Sequence, residues 1–575
     1  MTKRSLVDPN QYIGTATVVG ASTVQANLPK ATARSEKRAL AKGAVGDFVF
    51  IDCEVVKLLG RIIEVKVPDA ERLSVEPRLG TPPEPHPIGR IQLLASVDQK
   101  QEKLLRGLRA HPRVGDAVYL ADPAMFGELM ANSLSQLGAN VLDLGFLNAV
   151  SGIRLKLPPE KLFGRHCGVF GATGGGKSWT LAALLSQIKL AGGKCILFDP
   201  TGEFAGIPAI SKHYAFDKAE PGTTQVHFPF SQMTEDDLFA LFRPAGQTQG
   251  PKLREAIRSL KLVQATNGVA PANVVFFENR LVTKRNRARA PFFQALALHR
   301  AAIQTPFCDF EIQNLAEQLH AECVYASDKE VQANWGKIDD QAVGYCEGLL
   351  ARIRMLINSP ELACLFGTAG LSLASVLDQF FAEETDDIIR ISFKNVRFEH
   401  NTREILLNVI GRFLLSRARE NAFREKPMIT LLDEAHQFLG RTIGDDYASV
   451  RLEAFGLIAK EGRKYGLTAI MATQRPRDIP ADVISQLGTL IVHRLTNDED
   501  RHAVERACGD LDKDAALFIP TLAPGEAIVV GPDLPAPVPV LIHEPPAPPD
   551  SKGPGYGKYW AARKETAQEP EQELP

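Results

Sequence analysis

From residue 11 to about 155 the apolar positions fall in short β-branched or aliphatic runs with Gly or Asp at their edges: YIGTATVVGAS, AVGDFVFIDC, LLGRIIEVKV, IGRIQLLASVD and RVGDAVYLAD. Runs of this length and spacing predict the strands of a small barrel or sandwich. The proline-rich EPRLGTPPEPHP, residues 76–87, reads as a long exposed loop inside that unit. From about 160 short buried strands alternate with longer helical patterns, beginning with CGVFG and KCILFDP, which predicts a parallel sheet covered by helices. Residues 205–385 lose their clear strands and read largely as helices, as in DDLFALF, PKLREAIRSLKLVQA and PFFQALALHRAAI. Strand-like runs return at DIIRISF, MITLLDE, LTAIMAT, TLIVHRL and EAIVVG. The expected division is a β-barrel domain over 1–155, an α/β core over 156–204 and 386–543, a helical insertion over 205–385 and a tail over 544–575. The tail is too rich in Pro, Gly and charge to build a core of its own.

Composition narrows the partners. With 66 Lys and Arg against 68 Asp and Glu, the chain of 575 residues has no global basic field, so any contact with nucleic acid must be local. The eight cysteines are scattered with no C-x-x-C pair, which argues against a zinc site and for reduced thiols in the cytoplasm. The N-terminus turns polar where a signal peptide needs an apolar core, and no run of about 18 apolar residues is long enough to span a membrane.

One stretch carries specific chemistry. Gly171, Ala172, Thr173, Gly174, Gly175, Gly176, Lys177 and Ser178 fit G-x-x-x-x-G-K-[ST], directly after the apolar CGVF and before the helical WTLAALLSQIKLA, which opens with Trp179. Glycines let successive N–H groups turn inward around phosphate, and the helix points its positive end at the same place. Lys177 is expected to reach the β and γ phosphates of ATP, and Ser178 to offer its hydroxyl to Mg²⁺. The other reading is a glycine-rich strand-to-helix turn.

A P-loop needs a carboxylate on a neighbouring strand, and MITLLDEAH supplies Asp433 for the Mg²⁺ shell and Glu434 to orient and polarise the attacking water. A strand ending in a helix N-cap would also favour Asp. LTAIMAT ends in Gln474, an amide suited to sensing the γ-phosphate, or simply a polar residue opening a loop. Fast hydrolysis calls for a further cation on the transition state, and Arg463 in EGRKYGL and Arg165 in GRHCGVFG are the candidates. Arg463 with Lys464 could instead complement a helix dipole ahead of Gly466, and Arg165 could face solvent. Asp199 and Glu203 in FDPTGEF end a core strand, where either ligand binding or a plain turn explains them. The basic NRLVTKRNRARAP, with Arg280, Lys284, Arg285, Arg287 and Arg289, is a candidate phosphate-tracking element or a loop of solvated charges.

Taken in order, RHCGVFGATGGGKS, FDPTGEF, LLDEAHQF, EGRKYGL, ATQRP and APGEAIVVG resemble the HerA family, relatives of the FtsK DNA pumps, over most of the chain. The resemblance implies a RecA-like P-loop NTPase core with a helical insertion behind a small N-terminal β-barrel, assembled as a hexameric ring around DNA. It carries nucleotide-site roles onto Lys177, Ser178, Asp433, Glu434 and Gln474, and arginine-finger roles across a subunit interface onto Arg165 and Arg463. It also implies a separately encoded partner, either a NurA-like nuclease in repair or a sirtuin-like NAD-consuming effector or other nuclease in antiphage defence. Two functions compete: a DNA-translocating helicase-type motor, and a scaffold ATPase whose nucleotide state switches an effector without moving DNA.

Overall fold

A computed structural model describes residues 8–29, 31, 43–67, 86–134, 140–147, 152–216, 220–269, 277–385, 387–444, 449–508, 516–550, 556 and 560. Most of the loop expected at 76–87 and all but a few residues of the tail beyond 550 lie outside them.

The N-terminal unit is a closed antiparallel barrel. Its strands Tyr12–Val19, Thr23–Asn27, Ile88–Asp98, Val56–Lys66, Phe48–Cys53 and Ala117–Leu120 pair in that order round the barrel, and Ala117–Leu120 returns to Tyr12–Val19. Lys103–Arg106 adds to the outside of Ile88–Asp98. Alternating inward residues such as Ile13, Val24, Ile51, Leu58, Ile91 and Val118 fill the interior and are fully buried. Gly60 is required where two strands cross closely, since a Cβ there would lie 2.6 Å from Ile91 Cγ2.

The second unit is built on one 13-stranded sheet. Its parallel part runs Leu371–Ser372, Thr224–His227, Lys212–Ala215, Ile388–Ser392, Lys194–Asp199, Met428–Leu432, Leu467–Thr473, His166–Phe170 and Leu487–Val492. Glu526–Val530, Val538–Ile542, Leu142–Leu147 and Arg154–Leu157 extend it in antiparallel fashion. The central strands are buried along their whole length, which is why they read as unbroken apolar runs.

Two boundaries differ from the sequence expectation. Leu142–Leu147 and Arg154–Leu157, assigned above to the barrel, hydrogen-bond to the second sheet, so the barrel closes at Leu120. The helical insertion is also narrower than 205–385, because Lys212–Ala215, Thr224–His227 and Leu371–Ser372 are edge strands of the core. Strands of two to four residues are too short to show a period.

The basic run 279–289 is largely consumed inside the insertion. Lys284 is buried against Glu322, with its ammonium 4.4 Å over the Phe292 ring; Arg280 pairs with Glu311; and Arg289 donates to the carbonyls of Ala326, Gln332 and Ala333. Three of its five cations therefore hold loops together rather than track phosphates.

Candidate active site

Parallel strands that end along one edge deliver their following residues to one place. His166–Phe170 runs into the P-loop, Met428–Leu432 into Asp433 and Glu434, Leu467–Thr473 into Gln474, and Leu487–Val492 into His493. The carboxylates are not on the strand adjacent to the P-loop strand, because Leu467–Thr473 lies between the two. That insertion gives Gln474 its position. Thr173 Oγ1 donates to Gln474 Oε1 at 2.5 Å and Gln474 Nε2 donates to Glu434 Oε1 at 2.8 Å, so the amide bridges P-loop and carboxylate.

Lys177 Nζ lies 2.6 Å from both Asp433 Oδ1 and Glu434 Oε1, with all three side chains buried. Burial disfavours the ammonium, but the two carboxylates outweigh it and raise its pKa. Burial pushes Asp433 up to about 6 against the pull of Lys177. Burial opposes ionisation of Glu434 as well, yet His436, Lys177 and Gln474 together hold its carboxyl down at about 2. Of the pair, Glu434 is thus the one whose partners outweigh burial, while at Asp433 burial prevails. Its Oε2 faces His436 Nδ1 at 3.3 Å, too poorly aligned for a full hydrogen bond, and His436 is anchored by Thr473 Oγ1 at 2.9 Å. Glu434 also adopts φ 48°, ψ 44°, a left-handed conformation that costs a side-chain-bearing residue on the order of 1 kcal/mol and recurs at functional sites.

The loop itself is shaped for an anion. Gly174 and Gly176 take φ 76° and 111°, and a Cβ on Gly176 would press on Gly525 N at 3.1 Å and His493 Cε1 at 3.3 Å. The backbone N–H groups of Gly174, Gly176, Lys177 and Ser178 have no protein acceptor among the described residues, as expected where a helix N-terminus awaits a phosphate. With Lys177, the Ser178 hydroxyl and the Asp433 carboxylate beside them, the donor set fits a nucleoside triphosphate with Mg²⁺. Ser178 Oγ meanwhile donates to Glu203 Oε2 at 3.1 Å. The P-loop opens on a cavity of about 650 Å³ that Trp179 and Glu203 also line.

Asp199, by contrast, is structural. Its Oδ1 accepts from the N–H groups of Thr201 and Gly202, and its Oδ2 from Phe204 N and from the fully buried Arg390, which also pairs with Glu220.

His493 was not singled out in the sequence, yet it is the floor of the loop. Its Nδ1–H donates to the Glu526 carbonyl at 2.8 Å, and its Nε2 accepts from Thr180 Oγ1 at 2.7 Å. A Cβ on Gly171 would stand 2.7 Å from His493 Cβ. The signal was present: a polar residue ends the apolar TLIV, as Asp433 ends MITLL.

Residues 142–298 match the family described as Helicase HerA, central domain. A probable helicase of Methanocaldococcus jannaschii is 23% identical over 517 residues, covering 88% of this chain and 87% of its own. The DNA double-strand break repair helicase HerA of Pyrococcus furiosus is 22% identical over 478 residues, covering 79% and 77%. The chain is thus similar to HerA helicases over most of its length. Among solved structures, the bacterial conjugative coupling protein TrwB is similar with a TM-score of 0.43 at 15% identity, covering 74% of this chain and 92% of that one.

The two arginines of this chain are not at its P-loop. Arg165 immediately precedes His166–Phe170, and Arg463 lies in the turn Gly462–Tyr465 ahead of Leu467–Thr473, so both are exposed at the opposite edge of the sheet. Strands of five and seven residues at about 3.3 Å per residue put them roughly 15–25 Å from the phosphate edge of their own subunit. Neither side chain spans that distance.

Burial lowers both His493 and His166 to about 4. The unfolded chain protonates such residues near 6.5, so their neutral forms contribute stability that is fully present above that pH and is lost as pH falls toward 4. The chain is expected to lose up to about 3 kcal/mol per histidine across that window. Denaturant midpoints at pH 7.5 and 5 check this; a midpoint that holds or rises at pH 5 contradicts it.

Proposed function

We propose that the chain is the motor subunit of a ring that hydrolyses ATP to move along duplex DNA. One observation carries the reading: the P-loop, the carboxylate pair and Gln474 converge on one edge of the sheet while both candidate arginines sit on the other. Stacking copies head to tail around a ring would bring the arginine edge of one to the phosphate edge of the next. The resemblance to HerA suggests six copies.

In this reading Lys177 and the P-loop N–H groups bind the triphosphate, and Ser178 and Asp433 hold Mg²⁺, which offsets phosphate charge when bound. Glu434 takes a proton from the attacking water, Gln474 orients that water and reports on the γ-phosphate, and His436 positions Glu434. Lys177 must exchange its two carboxylate partners for phosphate, which releases Glu434 toward the water. Arg463 and Arg165 stabilise the transition state across the interface. A separately encoded nuclease or NAD-consuming effector would act with the ring, in DNA repair or antiphage defence. No helix among the described residues is long and apolar enough to cross a membrane.

A second reading, a scaffold ATPase that switches an effector without moving DNA, is favoured by the net charge of −2 and by the internal pairing of the 279–289 cations. Duplex binding measured against salt separates the two. The motor should bind with log K falling linearly in log[salt], at about one charge per phosphate contact. Binding that is undetectable at low salt in the presence of a non-hydrolysable ATP analogue supports the scaffold.

A further inference from the structure

The cavity that the P-loop opens on is also lined by Phe146, Leu541, Ile542 and His543, a wall that phosphate chemistry does not use. It forms where Val538–Ile542 pairs with Leu142–Leu147, with Leu541 opposite Phe146 and Ile542 opposite Gly145. A Cβ on Gly145 would stand 2.0 Å from Leu541 O, so only glycine allows this approach. The close pairing brings the rings of Phe146 and His543 to 4.8 Å, edge to face.

His543 is held from behind. Its Nε2 donates to Asp143 Oδ1 at 2.9 Å. Asp143 in turn pairs with Arg154 at 3.0 Å, and its backbone N–H donates to Gln187 Oε1, on the P-loop helix, at 2.9 Å. With Nε2 committed to the carboxylate, Nδ1 of the neutral imidazole is an acceptor, and no donor meets it among the described residues. Trp179, 37% exposed on the first turn of the P-loop helix, lines the same cavity.

We propose that this wall forms the base site. Phe146 and Trp179 give a purine its apolar surface, and the Asp143–His543 pair selects a base that presents an exocyclic amine over one that presents a carbonyl. The inference rests on reading the P-loop as a triphosphate site. Adenine offers its amine to His543 Nδ1. Guanine would set its carbonyl oxygen against that lone pair, leaving two acceptors facing each other. The cavity, at about 650 Å³, is of the size that encloses a whole nucleotide.

The test is calorimetric binding of ATP, GTP and inorganic tripolyphosphate, each with Mg²⁺, to the full chain. ATP is expected to bind about tenfold tighter than GTP, and both tighter than tripolyphosphate. Phe146→Ala should weaken ATP and GTP alike, by about tenfold, and leave tripolyphosphate unchanged, which also shows that the fold survives. His543→Phe keeps a ring but removes the acceptor, and should bring ATP and GTP to similar affinities. Equal binding of ATP and GTP by the unmodified protein would overturn the proposal, as would variants that weaken tripolyphosphate as much as ATP. Unmodified protein that binds none of the three, or Lys177→Ala protein that binds all three as before, would instead overturn the phosphate-site reading beneath it.

Discussion

Glu434→Gln protein should bind Mg-ATP at least as tightly as the unmodified chain and turn over roughly 10² to 10⁴ times more slowly, the loss expected when a general base is removed. Binding survives because the amide keeps the shape of the carboxylate and can still meet Gln474. Affinity is even expected to rise, since Lys177 then has one fewer anion to leave when it engages phosphate. Lys177→Ala should behave differently. It removes a charge-assisted contact to the phosphates and leaves Asp433 and Glu434 facing each other without a cation, so ATP binding itself should weaken by at least about tenfold. Equilibrium binding of a fluorescent ATP analogue together with steady-state turnover separates the two. Equal loss of binding in both variants would contradict the division of roles.

The second large effect belongs to Arg463. Its exposed place at the far edge of the sheet puts its own subunit's phosphates out of reach. A contribution from it to hydrolysis must therefore cross to a neighbour. Within one subunit Lys177 and Mg²⁺ offset only part of the triphosphate charge, and a guanidinium added at the transition state is worth about 10³ to 10⁵ in rate. Arg463→Ala is expected to leave ATP binding and oligomerisation intact while removing most hydrolysis. Mixing it with Lys177→Ala subunits creates some interfaces with an intact P-loop facing an intact arginine, and part of the activity should return. Arg463→Ala protein that hydrolyses ATP at the unmodified rate would eliminate Arg463 and leave Arg165, which immediately precedes the neighbouring strand at the same edge. Mixed rings that stay inactive would mean that every subunit must be competent at once.

The legible parts of the site were those in which one local pattern carries both structure and chemistry. The P-loop is such a case, because its glycines, Lys177, the preceding apolar strand and the following helix are contiguous. So are Asp433 and Glu434, since an apolar strand that ends in two carboxylates is visible without knowing the sheet order. What the chain could not show is which strands are neighbours. Gln474 bridges Thr173 and Glu434 only because Leu467–Thr473 lies between their strands, and pairing is a long-range property that no window of sequence contains. His493 was missed for the same reason: its importance comes from lying beneath Gly171 and Gly176, more than 300 residues earlier in the chain.

Domain boundaries were blurred where strands are swapped between units. Leu142–Leu147 follows the barrel in sequence and looks like one more of its strands, yet it pairs with Val538–Ile542 at the far end of the chain. The proline-rich segment after 543 builds no core of its own, and its first part is ordered by lying against the core, with Pro545 and Pro549 buried and the Asp550 N–H donating to the Glu203 carbonyl at 2.8 Å. Proline lacks an N–H, so such a strap can pack with few polar groups to satisfy.

Movement along DNA is tested most directly by displacement of a triplex-forming oligonucleotide from a linear duplex. Unmodified protein with Mg-ATP should strip the third strand, while a non-hydrolysable analogue or the Glu434→Gln protein should leave it in place. Protein that binds the duplex and hydrolyses ATP but displaces nothing would contradict the motor and leave the scaffold.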